Sequence, residues 1–299
     1  MTAEHTTTTS NCKICQAIGL QRLFEVRGQV LFRCKKCGFV HVGTQPSPET
    51  LASVYNPNYY TGIKYGSDST ALQYESQRRL GLLEMFVPQG GIVLDAGCST
   101  GDFIDVAKDR YRMYGFDYSD VAVAIAKRRF PDLATNICQG TLEKMPWSDV
   151  KFDAICLWDV IEHLWDPVPV VAALLQQLKP GGVLLISTPA IDAYFSRMLG
   201  PYWPFMTPPE HLSFFTAESF AKMTTRLRGI RLVYQKTRGK WANLAFVFHK
   251  IQRIAPDFIP AALFFPFKRW PFDRISLYIP TSDIRYIALQ TDASPVACD

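Results

Sequence analysis

No apolar run in this chain of 299 residues is long enough to cross a bilayer. The longest, such as IPAALFFPF at 259–267, are short and broken by proline. The opening MTAEHTTTTS is polar and has no apolar core, so no secretory signal is expected. Eight cysteines are too few for a disulfide scaffold at this length. Four of them are spaced as metal ligands, which predicts a reducing, cytoplasmic setting. There is no internal repeat and no low-complexity tract beyond the threonine run. A globular chain remains, with 48% hydrophobic residues and room for one large domain or two unequal ones.

Charge is unevenly spread. The net +5 includes a basic stretch from Ser219 to Arg285, with 13 Lys or Arg against three acids. It overlaps the aromatic-rich AALFFPFKRWPF at 261–272. The plain expectation is a solvated face over a helical subdomain at about 240–282. The functional alternative is an anionic acceptor or peripheral contact with the inner membrane face.

Four parts are expected: a disordered tail at 1–10, a cysteine module at 11–43, a Pro- and Tyr-rich connector at 44–70, and a large domain at 71–299. In the module, LFEVRGQVLFRC has the pattern of two strands with Gly28 at the turn. In the large domain strand and helix patterns alternate, which predicts a doubly wound α/β sheet.

Cys12, Cys15, Cys34 and Cys37 form C-x₂-C-x₁₈-C-x₂-C. Two residues between paired thiolates let a tight turn present both sulfurs to one tetrahedral ion. A redox pair is the competing reading. Four thiolates leave no open coordination position, so a Zn²⁺ ion here would be structural.

In GIVLDAGCSTGDF at 91–103 an apolar strand ends near Asp95 and a glycine turn leads into a helix. Gly97 and Gly101 would let backbone approach a ligand at the carboxyl end of that strand. A dinucleotide fingerprint needs glycine at 97, 99 and 102, but Ser99 and Asp102 stand at two of those places. The next strand, in RMYGFDYS, ends at Asp117, whose carboxylate suits the two hydroxyls of a ribose.

VLDAGCSTGDF, FDAICLWDVIEHLWDP and LKPGGVLLISTP resemble, as a set, the first-, fourth- and fifth-strand blocks of class I S-adenosylmethionine-dependent methyltransferases. The resemblance covers about 71–236 and implies a Rossmann-like methyltransferase sheet. The cysteine pairs and the segment after them resemble a bacterial subgroup with a fused zinc ribbon, which includes NDP-sugar C-methyltransferases and polysaccharide-pathway enzymes. The resemblance implies that Asp95, Gly97 and Gly101, with Cys98 beside them, surround the methionine part of S-adenosylmethionine. It places Asp117 at the ribose, with Tyr118, Thr141, Leu142 and Asp159 as further expected cofactor-binding residues, adenine being met by backbone groups near Leu142. Two departures stand out. Ser99 replaces a common glycine, and Thr141 replaces an aspartate that contacts adenine in relatives.

Methyl transfer needs a nucleophile held in line with the sulfonium methyl, and often a base. Asp159, Glu162 and His163 follow the fourth strand. In ubiquinone-pathway O-methyltransferases the matching cluster is linked to a divalent metal, while the alternative is a merely structural loop. Glu210 and His211 follow the fifth strand and resemble the block whose histidine is the general base in sugar C-methyltransferases. The alternative there is a histidine packed under a loop. The segment 190–215 has the length and aromatic content of a lid, and Tyr59, Tyr60 and Tyr65 are placed on the pocket's other side.

The expected acceptor is a small molecule: a sugar or polysaccharide precursor, or a lipid-linked phenol. The competing class is an RNA methyltransferase that reads RNA with its ribbon. Against it, the ribbon has no aromatic stacking platform and no NPPY-like tetrapeptide follows the fourth strand.

Overall fold

The computed structural model describes residues 11–47, 49–50, 70–243 and 275–293. The tail at 1–10, the connector tyrosines 59, 60 and 65, and most of the basic aromatic segment lie outside the described residues.

The cysteine module is built on the hairpin β1 (Leu20–Val26) and β2 (Gln29–Cys34). Its two-residue turn has Arg27 at φ 52° and Gly28 at φ 73°. Positive φ at both central positions matches the natural twist of a hairpin, and glycine adopts it without steric cost. β3 (Val40–Val42) pairs with β2. The sheet does not end there, because the two-residue β9 (Ser213–Phe214) of the large domain pairs with β3 as a fourth strand.

The large domain opens with α1 (Thr70–Glu84). Next come β4 (Ile92–Ala96), α2 (Asp102–Ala107), β5 (Arg112–Asp117), α3 (Asp120–Arg129) and β6 (Ile137–Gln139). The chain then returns through β7 (Phe152–Trp158), α4 (Pro167–Gln176) and β8 (Leu178–Pro189). After α5 (Tyr194–Leu199), β9 and α6 (Ala217–Thr224), it closes with the long strands β10 (Ile230–Asn243) and β11 (Ser276–Thr291).

Seven strands lie in the order β10-β11-β8-β7-β4-β5-β6. β4 to β8 pair in parallel, and β11 runs antiparallel between β8 and β10. β4, β7 and β8 are apolar on both faces, as a strand covered on both sides must be. Leu94, Leu157, Ile186 and Ile287 pack into one layer, and Val93, Cys156, Leu185 and Tyr286 into the other. Chain order reverses between β4 and β7, so the topological switch point lies at their carboxyl ends. Ligands of open α/β sheets bind in that crevice.

Helix starts are set locally. Ser119 caps α3 by accepting from the Ala122 amide at 3.2 Å, and Pro167 opens α4 where no amide donor is needed. Thr216 and Ser219 form a reciprocal capping box on α6. No helix among the described residues is long and apolar enough to cross a membrane.

Candidate functional site

Four turns converge on the switch point. After β4, Gly97 (φ 89°) and Gly101 (φ 87°) take left-handed conformations. A Cβ on Gly97 would lie 2.7 Å from Val160, and one on Gly101 2.6 Å from the Phe130 ring. Only glycine fits either place. Ser99, between them, is left-handed too, at φ 48°. Such a conformation costs on the order of 1–3 kcal/mol in a residue with a side chain and persists only where its surroundings hold it. The holder is Asp117 at the end of β5, which accepts from the Ser99 amide at 2.9 Å and the Ser119 amide at 2.9 Å. Burial raises the Asp117 pKa, opposed by those amides and that of Tyr118.

The carboxylates on the neighbouring strands are linked by a residue that sequence reading missed. Arg79 on α1 donates to Asp159 at 2.7 Å, and its guanidinium lies 5.5 Å from the Trp158 ring centre. Asp159 itself is left-handed (φ 56°) and accepts from the Ser187 hydroxyl at 2.8 Å. Asp95 is buried in β4, and its Oδ1 has no hydrogen-bond partner among the described residues. Burial pushes its pKa up to about 7, with Arg79 pulling the other way. Thr141 and Leu142 lie on the loop after β6, on the same sheet edge. The Thr141 hydroxyl accepts from the Lys144 amide, and Leu142 packs against the core. Cys98 is buried beneath the glycine turn, whereas Tyr118 is exposed.

The two acid–histidine pairs, treated as alternatives on sequence, form one cluster. Glu162 is buried after β7 and accepts from the Thr188 hydroxyl at 2.9 Å. Burial, then the nearby Asp159, raises its pKa to about 8. The His163 and His211 rings meet edge to face with centres 4.9 Å apart. His163 Nδ1 lies 2.8 Å from the Glu210 carbonyl, and His211 Nδ1 lies 2.8 Å from the Phe205 carbonyl. Donation from each Nδ1–H fixes the tautomer and makes each Nε2 an acceptor. Glu210 thus reaches the cluster through its backbone. Ligand atoms of Glu162, His163 and His211 all lie within 4.8 Å of one another, so the set can serve as a base or hold a cation.

The strap that carries His211 is fastened to the cysteine module. The Val42 amide donates to Leu212 at 3.0 Å, and the Leu212 amide donates to Glu162 at 2.8 Å. The Thr216 hydroxyl donates to the Cys37 carbonyl at 2.7 Å, and Phe39 packs on Phe215 at 5.1 Å. Arg226 donates to the carbonyls of Lys13 and Ile14. Trp203, Met206 and Leu212 of the expected lid are buried with Leu31, Val40 and Val42 of the module. The four thiols sit together, with Cys12–Cys37 sulfurs at 3.6 Å and Cys15–Cys34 sulfurs at 3.5 Å. Four sulfurs about 2.3 Å from one tetrahedral zinc would be about 3.8 Å apart, so the donor set fits that ion.

Residues 72–234, more than half the chain, match the family model described as a methyltransferase domain. The chain belongs to the methyltransferase-domain family. Among curated relatives, a probable S-adenosylmethionine-dependent methyltransferase of Mycolicibacterium smegmatis is 37% identical over 119 residues, covering 40% of this chain and 46% of that one. A ubiquinone biosynthesis O-methyltransferase of Alkalilimnicola ehrlichii is 31% identical over 104 residues, covering 33% and 42%. The chain thus spans less than half the length of these relatives. The YcgJ protein of Bacillus subtilis matches in structure with a TM-score of 0.52 at 16% identity, over 73% of this chain and 99% of that one. The [4+2]-cyclase SpnF matches with a TM-score of 0.53 at 18% identity, over 83% and 97%. At such identity the likeness shows the fold alone.

Proposed function

We propose that this methyltransferase-domain protein moves a methyl group from S-adenosylmethionine to a small-molecule acceptor, most simply a sugar, a polysaccharide precursor or a lipid-linked phenol. The observation that carries the reading is the pairing, on one sheet edge, of a carboxylate-lined glycine turn with an imidazole cluster. The cofactor supplies an electrophilic methyl on a sulfonium. Asp117 accepts from the ribose hydroxyls, while Asp95 and Asp159 face the methionine ammonium and Arg79 its carboxylate. Asp95 fits this role because a buried carboxylate with an unpartnered oxygen gains most from a cation. The backbone at Gly97 and Gly101 lets the nucleoside approach. Leu142 packs near adenine, with Thr141 in place of an aspartate.

On the acceptor side, His211 would take the proton that the acceptor's O–H or acidic C–H must lose. The methyl–oxygen or methyl–carbon bond forms as the methyl–sulfur bond breaks, and the sulfur keeps its electron pair in the departing S-adenosylhomocysteine. His163 and Glu162 hold that ring in place. The cysteine module fits zinc as a structural brace rather than as an RNA reader, because its edge strand β3 is covered by β9 and its knuckle packs on α6. Incubation with methyl-labelled S-adenosylmethionine and fractionated cell extract should label a low-molecular-weight or lipid-linked fraction. Label confined to RNA would overturn the acceptor class.

A further inference from the structure

A cation stands beside the base cluster. Lys240 lies on β10, and its Nζ is 5.3 Å from the centre of the Phe205 ring. Phe205 is also the residue whose carbonyl orients His211, 2.8 Å from Nδ1. The ammonium and the imidazole thus flank one residue of the strap.

Strand alternation puts Lys240 on the cluster's face of the sheet. The next residue, Trp241, stacks on Tyr74 of α1 with ring centres 4.4 Å apart. Successive side chains on a strand point to opposite faces, so Lys240 points away from α1. The same division holds on β8. The Ser187 hydroxyl meets Asp159, the partner of Arg79 on α1, while the Thr188 hydroxyl meets Glu162 on the other face. Burial and then Asp159 raise the Glu162 pKa, and the Lys240 charge pulls it the other way.

Lys240 is half-buried, and among the described residues it donates no hydrogen bond and forms no ion pair. Glu162 does not neutralise it, since a carboxyl with a pKa of about 8 is mostly protonated at neutral pH. An ammonium with three unmet donors beside a base is placed to meet negative charge as that charge forms.

We propose that Lys240 is a catalytic residue on the acceptor side, stabilising the negative charge that develops on the acceptor atom while His211 removes its proton. The assignment rests on the methyl-transfer reading above. As the acceptor's O–H or C–H bond breaks, the proton goes to His211 Nε2 and the electron pair stays on the acceptor atom. That pair forms the bond to the methyl carbon, and the pair of the breaking methyl–sulfur bond leaves with sulfur. Lys240 keeps its three protons throughout and contributes charge and donors only.

The test compares Lys240→Met and Lys240→Arg with the wild type in the full chain. Met keeps an unbranched chain against Phe205 without the charge, and Arg keeps the charge. Both variants should bind S-adenosylhomocysteine as the wild type does. In a nitrogen NMR titration of the imidazoles, the His163 and His211 pKa values should rise in Lys240→Met and stay near wild type in Lys240→Arg. With methyl-labelled S-adenosylmethionine and the extract fraction that wild type labels, Lys240→Met should transfer about 10² to 10³-fold more slowly. Lys240→Arg should recover most of that loss. A packing role gives the reverse order, with Met active and Arg impaired, and overturns the proposal, as do unshifted histidines in Lys240→Met. Failure of the methyl-transfer reading shows separately, as wild-type protein that does not bind S-adenosylhomocysteine, and removes the catalytic role with it.

Discussion

With zinc held by the four thiols, as proposed, treating protein purified without chelators with a chelator should unfold the cysteine module and loosen His211 with it. The module has few side chains of its own to bury. Ile14, Phe39 and the cysteines join the large domain's core only while the knuckles keep their shape. Structural zinc contributes roughly 10–16 kcal/mol of apparent binding free energy in small domains, more than most domains have in net stability. The loss should spread through β3 and β9 to Leu212, whose amide holds the Glu162 carbonyl. Hydrogen exchange should therefore rise at 11–43 and at 207–216 together, while β4 and β5 stay protected. Cys37→Ser should give the same pattern. Metal analysis that finds no zinc, or chelation that leaves exchange at 207–216 unchanged, would contradict the coupling.

His211→Ala should lower turnover by about 10² to 10⁴, the usual contribution of a positioned base, with S-adenosylhomocysteine affinity unchanged. The ring is oriented by the Phe205 carbonyl and packed against Phe214, so its Nε2 is set as an acceptor. His163→Ala should cost less, because in this account His163 braces the first ring. Comparable losses in both variants, with activity recovered by added divalent cation, would reassign Glu162, His163 and His211 as a metal site. Full activity in His211→Ala would remove it from the chemistry.

What could be read from sequence was local. The glycine turn, Asp117 at a strand end and the two cysteine knuckles each lie within a dozen residues. Their spacing alone carries the geometry. Arg79 was illegible because a charged residue in QYESQRRLGLLE looks like part of a solvated helix face. Only the fold shows that it meets Asp159, 80 residues away. The union of His163 with His211 depends on the hydrogen bond from His163 to the Glu210 carbonyl, 47 residues away, and no periodic pattern records such a contact. The joining of the ribbon to the domain runs through β9, a strand of two residues too short to show alternation, and through long-range contacts such as Thr216–Cys37 and Arg226–Lys13 that no local pattern records. Ser99 reads in sequence only as a replaced glycine; its left-handed backbone is fixed by Asp117 and is visible only in the fold.

The central claim is that S-adenosylmethionine sits at the β4–β7 crevice with its ribose on Asp117. Calorimetric titration with S-adenosylhomocysteine tests it on wild type and on Asp117→Ala. Hydrogen bonds to a charged carboxylate contribute about 1.5–3 kcal/mol each. The carboxylate also holds the Ser99 and Ser119 amides, so its removal should weaken binding by about 10²-fold or more. One-to-one binding by wild type and that loss in the variant are the predicted results. Equal affinity in the two proteins would contradict the account.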